Sequence, residues 1–126
     1  MRVADLAILG ILLGGAAVGG LFLMARSELQ NTDWNALPAP EAYARLCSTC
    51  HGPDGTAPTG TANSFKGKRR YWDVPRLVEY VANPIAYAKA KTEGRLGQRF
   101  MQPIPAHVPM ETRERLAKFV LDELMD

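Results

Sequence analysis

The chain has 126 residues, with 15 lysines and arginines against 13 aspartates and glutamates, for a formal net charge of +2. That balance is too weak to argue for a nucleic-acid partner. Setting aside the apolar amino terminus leaves about 100 residues, which suits one small domain with a modest core.

Leu6 to Ala25 is an unbroken run of twenty uncharged residues. At 1.5 Å per helical residue such a run crosses a hydrocarbon core of about 30 Å, which predicts a transmembrane anchor over residues 1–26. Arg2 precedes the run, so the positive-inside bias keeps residue 1 in the cytoplasm. The rest of the chain is then expected on the far side, in the periplasm of a bacterial inner membrane. A cleaved signal peptide is the competing account, with Ala17-Val18-Gly19 as its cutting site. Cutting there leaves Leu21-Phe22-Leu23-Met24 on the mature terminus, which favours the retained anchor. The pairs Gly10/Gly14 and Gly15/Gly19 are small residues one turn apart, the spacing that lets a partner membrane helix approach.

Residues 27–40 are polar, with Asn31, Thr32, Asp33 and Asn35, and close in Pro38-Ala39-Pro40. They read as a linker with a reach of roughly 45–50 Å when fully extended. A domain over 41–126 would be held near the membrane and its neighbours there.

A helix is expected from Glu41 to about Cys50, entered through Pro40, with Tyr43 and Leu46 on one apolar face. It runs into Cys47-Ser48-Thr49-Cys50-His51. Two cysteines three apart followed at once by histidine is the spacing for attaching haem c. Each thiol can add across one porphyrin vinyl group, and the next residue's imidazole can bind the iron. Three other readings use the same residues. A dithiol redox motif needs a βαβ context, and no run of β-branched or alternating residues supplies one. A structural zinc site needs four ligands, and beyond the two cysteines the chain offers only His51 and His107. A disulfide across three residues closes a small, strained loop.

Gly52-Pro53-Asp54-Gly55 is turn chemistry. Lys66-Gly67-Lys68-Arg69-Arg70 is a compact basic run, followed by Lys89, Lys91, Arg95 and Arg99. It is either a solvated face or a docking surface for an acidic redox partner. Asp73 before Val74-Pro75 marks a helix start, and Leu77, Val78, Tyr80 and Val81 continue it to Asn83-Pro84. A further short helix is expected over residues 85–91, ending near Gly94. Met101 lies in the proline-rich stretch Arg99-Phe100-Met101-Gln102-Pro103-Ile104-Pro105. Met110 to about Met125 is the last helix, with Leu116, Val120 and Leu124 four apart. The predicted domain is all-α with long loops.

The ordered set of helix, Cys-x-x-Cys-His-Gly, short helices, methionine in a proline-rich loop and closing amphipathic helix resembles the class I c-type cytochromes. The resemblance covers Pro40 to Asp126 and implies about four helices around one covalent haem c. It also implies that Cys47 and Cys50 carry the haem, that His51 and Met101 are the axial ligands, and that Tyr43 packs on the last helix at Phe119 or Val120. Two departures stand beside it. Gln102 separates Met101 from Pro103, so Met110, His107 or no residue remain alternatives for the sixth position. No Pro-Leu pair stands near Ala62-Asn63-Ser64-Phe65, where such proteins carry the carbonyl that accepts from the histidine ligand. Pro58 is early for that role. Tyr71, Trp72 and Tyr87 are candidate donors to the propionates, or simply core.

The function so implied is not enzymatic. It is single-electron transfer between respiratory or photosynthetic membrane complexes, as a tethered shuttle or as the cytochrome subunit of an oxidoreductase. The competing functions are a haem sensor or ligand-binding module with an open sixth position, and a periplasmic thiol-disulfide oxidoreductase.

Overall fold

The computed structural model describes residues 19–24, 26–60, 62–92 and 101–126. The anchor expected over 1–26 lies outside them except at 19–24 and 26, and so do the glycine pairs apart from Gly19. Gly94, Arg95, Arg99 and Phe100 also lie outside. The chain divides into two units, Met1–Asp33 and Trp34–Asp126.

In the first unit residues 19–24 and 26–30 are helical, and Leu21, Phe22, Leu23 and Met24 are 67–72% exposed. The backbone N–H of Asn31 and the Thr32 hydroxyl donate to the carbonyls of Ser27 and Glu28, which closes that helix. Among the described residues no helix is long and apolar enough to cross a membrane.

The second unit is all-helical, with no strand among the described residues. Helix α1 spans Ala39–Leu46, with Pro40 in its first turn where the missing N–H costs nothing. The helix expected to run on to Cys50 breaks at Cys47, whose φ of −125° leaves the helical region, and a single turn, α2, Ser48–His51, follows. A 3₁₀ turn covers Arg69–Tyr71. Helix α3, Val74–Ala82, opens as expected at Asp73, whose carboxylate accepts from the Arg76 N–H at 2.9 Å. Helix α4 is Pro84–Thr92. Helix α5, Met110–Phe119, continues through the π-helical residues Val120–Leu124.

Helix α5 is the spine, with α1 and α3 both packed on it. Leu116, Ala117, Val120 and Leu121 form its buried face against Ala42, Tyr43 and Leu77. The Tyr43 and Phe119 rings lie 5.8 Å apart, the α1–α5 contact that the family resemblance implies.

The polar stretch 27–40 is not linker throughout. From Trp34 onward it belongs to the domain. Trp34 is 3% exposed, and its carbonyl accepts from the Thr112 hydroxyl at 3.0 Å. Arg115 Nη2 lies 3.1–3.3 Å from the carbonyls of Trp34, Asn35 and Leu37. Two residues away, Arg113 faces about 200° round the helix. It donates from Nε to the Val108 carbonyl at 2.9 Å, and from Nη2 toward those of Pro105 and Ala106 at 3.2 and 3.3 Å. The spine thus grips one irregular segment on each side with one arginine.

Candidate functional site

Cys47, Cys50 and His51 are brought together by one turn of backbone. The N–H groups of Cys50 and His51 both donate to the Cys47 carbonyl, at 3.2 and 3.0 Å. Neither cysteine is in a disulfide, and Cys47 is partly covered while Cys50 is exposed. Burial pushes the Cys47 thiol up to about 12, and the neighbouring Cys50 adds to the rise. A thiol-disulfide enzyme needs a ready thiolate, so this environment runs against the dithiol reading.

His51 is 8% exposed. Its Nδ1 lies 3.0 Å from the Asn63 carbonyl, which can only accept, so Nδ1 carries the proton. The Nε2 lone pair is then left bare, buried and without a hydrogen-bond partner. An imidazole with one nitrogen tied to a carbonyl and the other bare is what a metal-ligating histidine requires. Burial lowers the His51 pKa, which favours the same neutral form, while the Asn63 bond opposes that shift in part. The acceptor comes from the segment where no Pro-Leu pair exists: a backbone carbonyl does not depend on its own side chain, so Asn63 serves.

The ring is held from the side as well. Phe65 stacks on His51 with centroids 4.3 Å apart and planes 27° from parallel. The Phe65 N–H donates to the Gly55 carbonyl at 2.8 Å. Gly55 sits at φ +73°, and a Cβ there would lie 2.6 Å from the Phe65 ring, so the position needs glycine on both counts. At Gly52, φ +77°, a Cβ would lie 2.7 Å from the Pro58 ring. Between them Asp54 accepts from the N–H and hydroxyl of Thr56, bonds that hold its carboxyl below the usual carboxylate range. The loop ends tied back to the motif, with the Ala57 N–H on the His51 carbonyl at 2.8 Å and the Tyr43 hydroxyl on that of Gly52 at 2.7 Å.

The candidates for the sixth position lie elsewhere. Met101 is half-buried in an irregular segment. Three residues on, the Ile104 N–H donates to the Val81 carbonyl at 2.8 Å, and Arg113 fastens the turn at 105–108. His107 is exposed, with its ring 6.3 Å from that of Trp34. Met110 opens α5 and is 57% exposed. Sequence reading missed Arg113 and Phe65 as contributors. Phe65 carries a weak signal, an aromatic residue in a turn-rich stretch. Arg113 carries none, because an arginine on a helix surface looks the same whatever it grips.

Of the aromatic residues considered as propionate donors, Trp72 and Tyr87 stack with centroids 5.9 Å apart, and Tyr80 joins them 5.2 Å from Trp72. Tyr71 is 58% exposed with Arg70 over its face. The Trp72–Tyr87 stack joins α4, which carries Lys89 and Lys91 in its last turn, to Trp72, two residues after the basic run at 66–70. Arg69 of that run is engaged with Asp122.

The thiol pair and the bare Nε2 of His51 fit a covalently held haem, with Cys47 and Cys50 for attachment and His51 for the iron. Comparison of the chain with protein-family models, with curated proteins and with solved structures finds no match.

Proposed function

We propose that this chain is a membrane-anchored monohaem cytochrome c that carries single electrons between membrane redox complexes. The observation that carries the reading is the buried, unpartnered Nε2 of His51, directly after two cysteines outside any disulfide on the same turn. Bound haem would supply a one-electron Fe(III)/Fe(II) couple. The protein's part is to hold, orient and shield it. Cys47 and Cys50 would anchor it through two thioethers. Asn63 and Phe65 fix the plane of the His51 imidazole, and the hydrogen bond to Asn63 raises the ring's basicity toward iron. Met101 is the proposed sixth ligand, on the resemblance of its proline-rich loop to that of class I cytochromes. A thioether there would raise the potential and would leave no open position for a substrate, which is why the chain reads as a carrier and not an enzyme.

The apolar run Leu6 to Ala25 supports a retained anchor in a bacterial inner membrane with the haem domain in the periplasm. The basic residues at 66–70 and 89–91, flanking the Trp72 cluster, support docking of an acidic redox partner. The test is a reduced-minus-oxidised absorption spectrum on washed membranes of cells expressing the full chain, with haem staining after denaturing electrophoresis. A c-type spectrum on a full-length membrane band supports the reading, and absence of stain in a host with working haem attachment removes it. Met101→Ala should lower the midpoint potential and admit carbon monoxide. A sensor with an open sixth position would bind carbon monoxide before any substitution.

A further inference from the structure

Arg113 spends its donors on backbone carbonyls, as Arg115 does with Nη2 on the other side of α5. Arg115 also pairs with Glu111, and Lys118 with Asp122. Arg113 reaches the carbonyls of Pro105, Ala106 and Val108. Those acceptors form a turn, closed by the Val108 N–H on the Pro105 carbonyl at 3.0 Å, with the Val108 side chain 2% exposed beneath it.

This turn is the far end of the arm that begins at Met101. Along the arm, Pro103, Pro105 and Pro109 fix φ at three of seven positions from 103 to 109, so it behaves as a stiff piece. It is pinned at two points, Ile104 on Val81 of α3 and the 105–108 turn on Arg113 of α5. A stiff piece held at two points has a set direction, whereas one held at a single point pivots. A thioether is a weak ligand whose bond to iron survives only if the loop does not pull it away.

We infer that Arg113 is the positioning residue for Met101, setting the direction of the ligand arm by gripping its carbonyl-lined end. The inference rests on the haem reading above and on Met101 as the sixth ligand. His107 lies between two of the gripped carbonyls with its ring beside Trp34, so the same grip holds a competing imidazole in place.

The test uses the full-length, haem-loaded protein. Arg113→Gln ends the side chain two atoms short of the guanidinium tips and replaces the forked, charged donors with one neutral amide. Arg113→Lys keeps the charge and reaches fewer carbonyls, and it serves where the glutamine variant fails to accumulate. The readouts are the sulfur-to-iron charge-transfer band of the oxidised protein and the midpoint potential, beside thermal stability. The expected result is loss of the band and a lower potential in Arg113→Gln, with partial loss in Arg113→Lys. Thr112→Val is the control, because it loosens the same helix where it holds Trp34 and leaves the 105–108 turn alone, and it should keep the band. If Thr112→Val loses the band as readily, general loosening is the cause and the inference is overturned. If the Arg113 variants keep the band while Met101→Ala abolishes it, the inference alone falls. If Met101→Ala leaves the band in place, the ligand assignment falls and takes the inference with it.

Discussion

The two sides of the candidate site are built differently. On the His51 side every support lies within 23 residues of chain, from Tyr43 to Phe65, and the contacts are turn bonds, glycine approaches and one ring stack. On the Met101 side the supports are distant in fold terms: a carbonyl of α3 and an arginine of α5, each holding a loop with no regular structure of its own. The first arrangement can form around its own motif. The second exists only once three elements have docked, so it is the side more readily adjusted without unfolding the domain.

His51→Ala should give the largest effect, because it removes the one buried nitrogen for which the near side is built. The expected outcome is loss of the low-spin spectrum in whatever haem protein accumulates. A normal low-spin spectrum would show that the near side is not the site. Gly55→Ala sharpens the contrast. The added methyl would sit 2.6 Å from the Phe65 ring at a φ of +73°. Left-handed strain and the clash together should cost about 2–3 kcal/mol, a fall of roughly 8–20 °C in the melting midpoint of a domain this size. Displacement of Phe65 from the His51 ring should alter the magnetic anisotropy of the oxidised iron. A variant with an unchanged melting point would mean the loop yields freely, and that the near side is no more rigid than the far one.

This asymmetry also explains what could be read in advance. Helix α3 was legible from Asp73 and Val74-Pro75, because capping is a matter between neighbours. The Cys-x-x-Cys-His turn and the Gly52–Gly55 turn were legible for the same reason. Trp34 was not. It sits among Asn31, Thr32, Asp33 and Asn35, a composition that looks like linker, and its burial comes from Thr112 and Arg115 some eighty residues on. The break at Cys47 was invisible as well, since nothing in Ala44-Arg45-Leu46-Cys47 disfavours a helix. The His51 acceptor could not be assigned from Asn63, because a backbone carbonyl is a property of path and not of residue type.

The smallest expected effect concerns Tyr43, which joins the near side to the spine through Gly52 and Phe119. Burial pushes its hydroxyl up to about 12 from an ordinary value of 10.0, and nearby Cys47 and Asp54 add to the rise. The folded protein therefore keeps a proton that the unfolded chain gives up near pH 10. Between about pH 10 and about 12 the unfolded state binds fewer protons, so stability falls as pH rises through that window and is unaffected by this group below it. Tyr43→Phe removes the group, and with it that part of the alkaline slope. It also costs about 1 kcal/mol at neutral pH for the lost bond to the Gly52 carbonyl. Denaturant midpoints of the two proteins, measured from neutral pH to pH 11, should start apart with the native chain ahead and converge as the pH rises. Parallel curves would mean that the hydroxyl ionises as freely in the folded protein as outside it, and that the join between the motif and the spine is open to water.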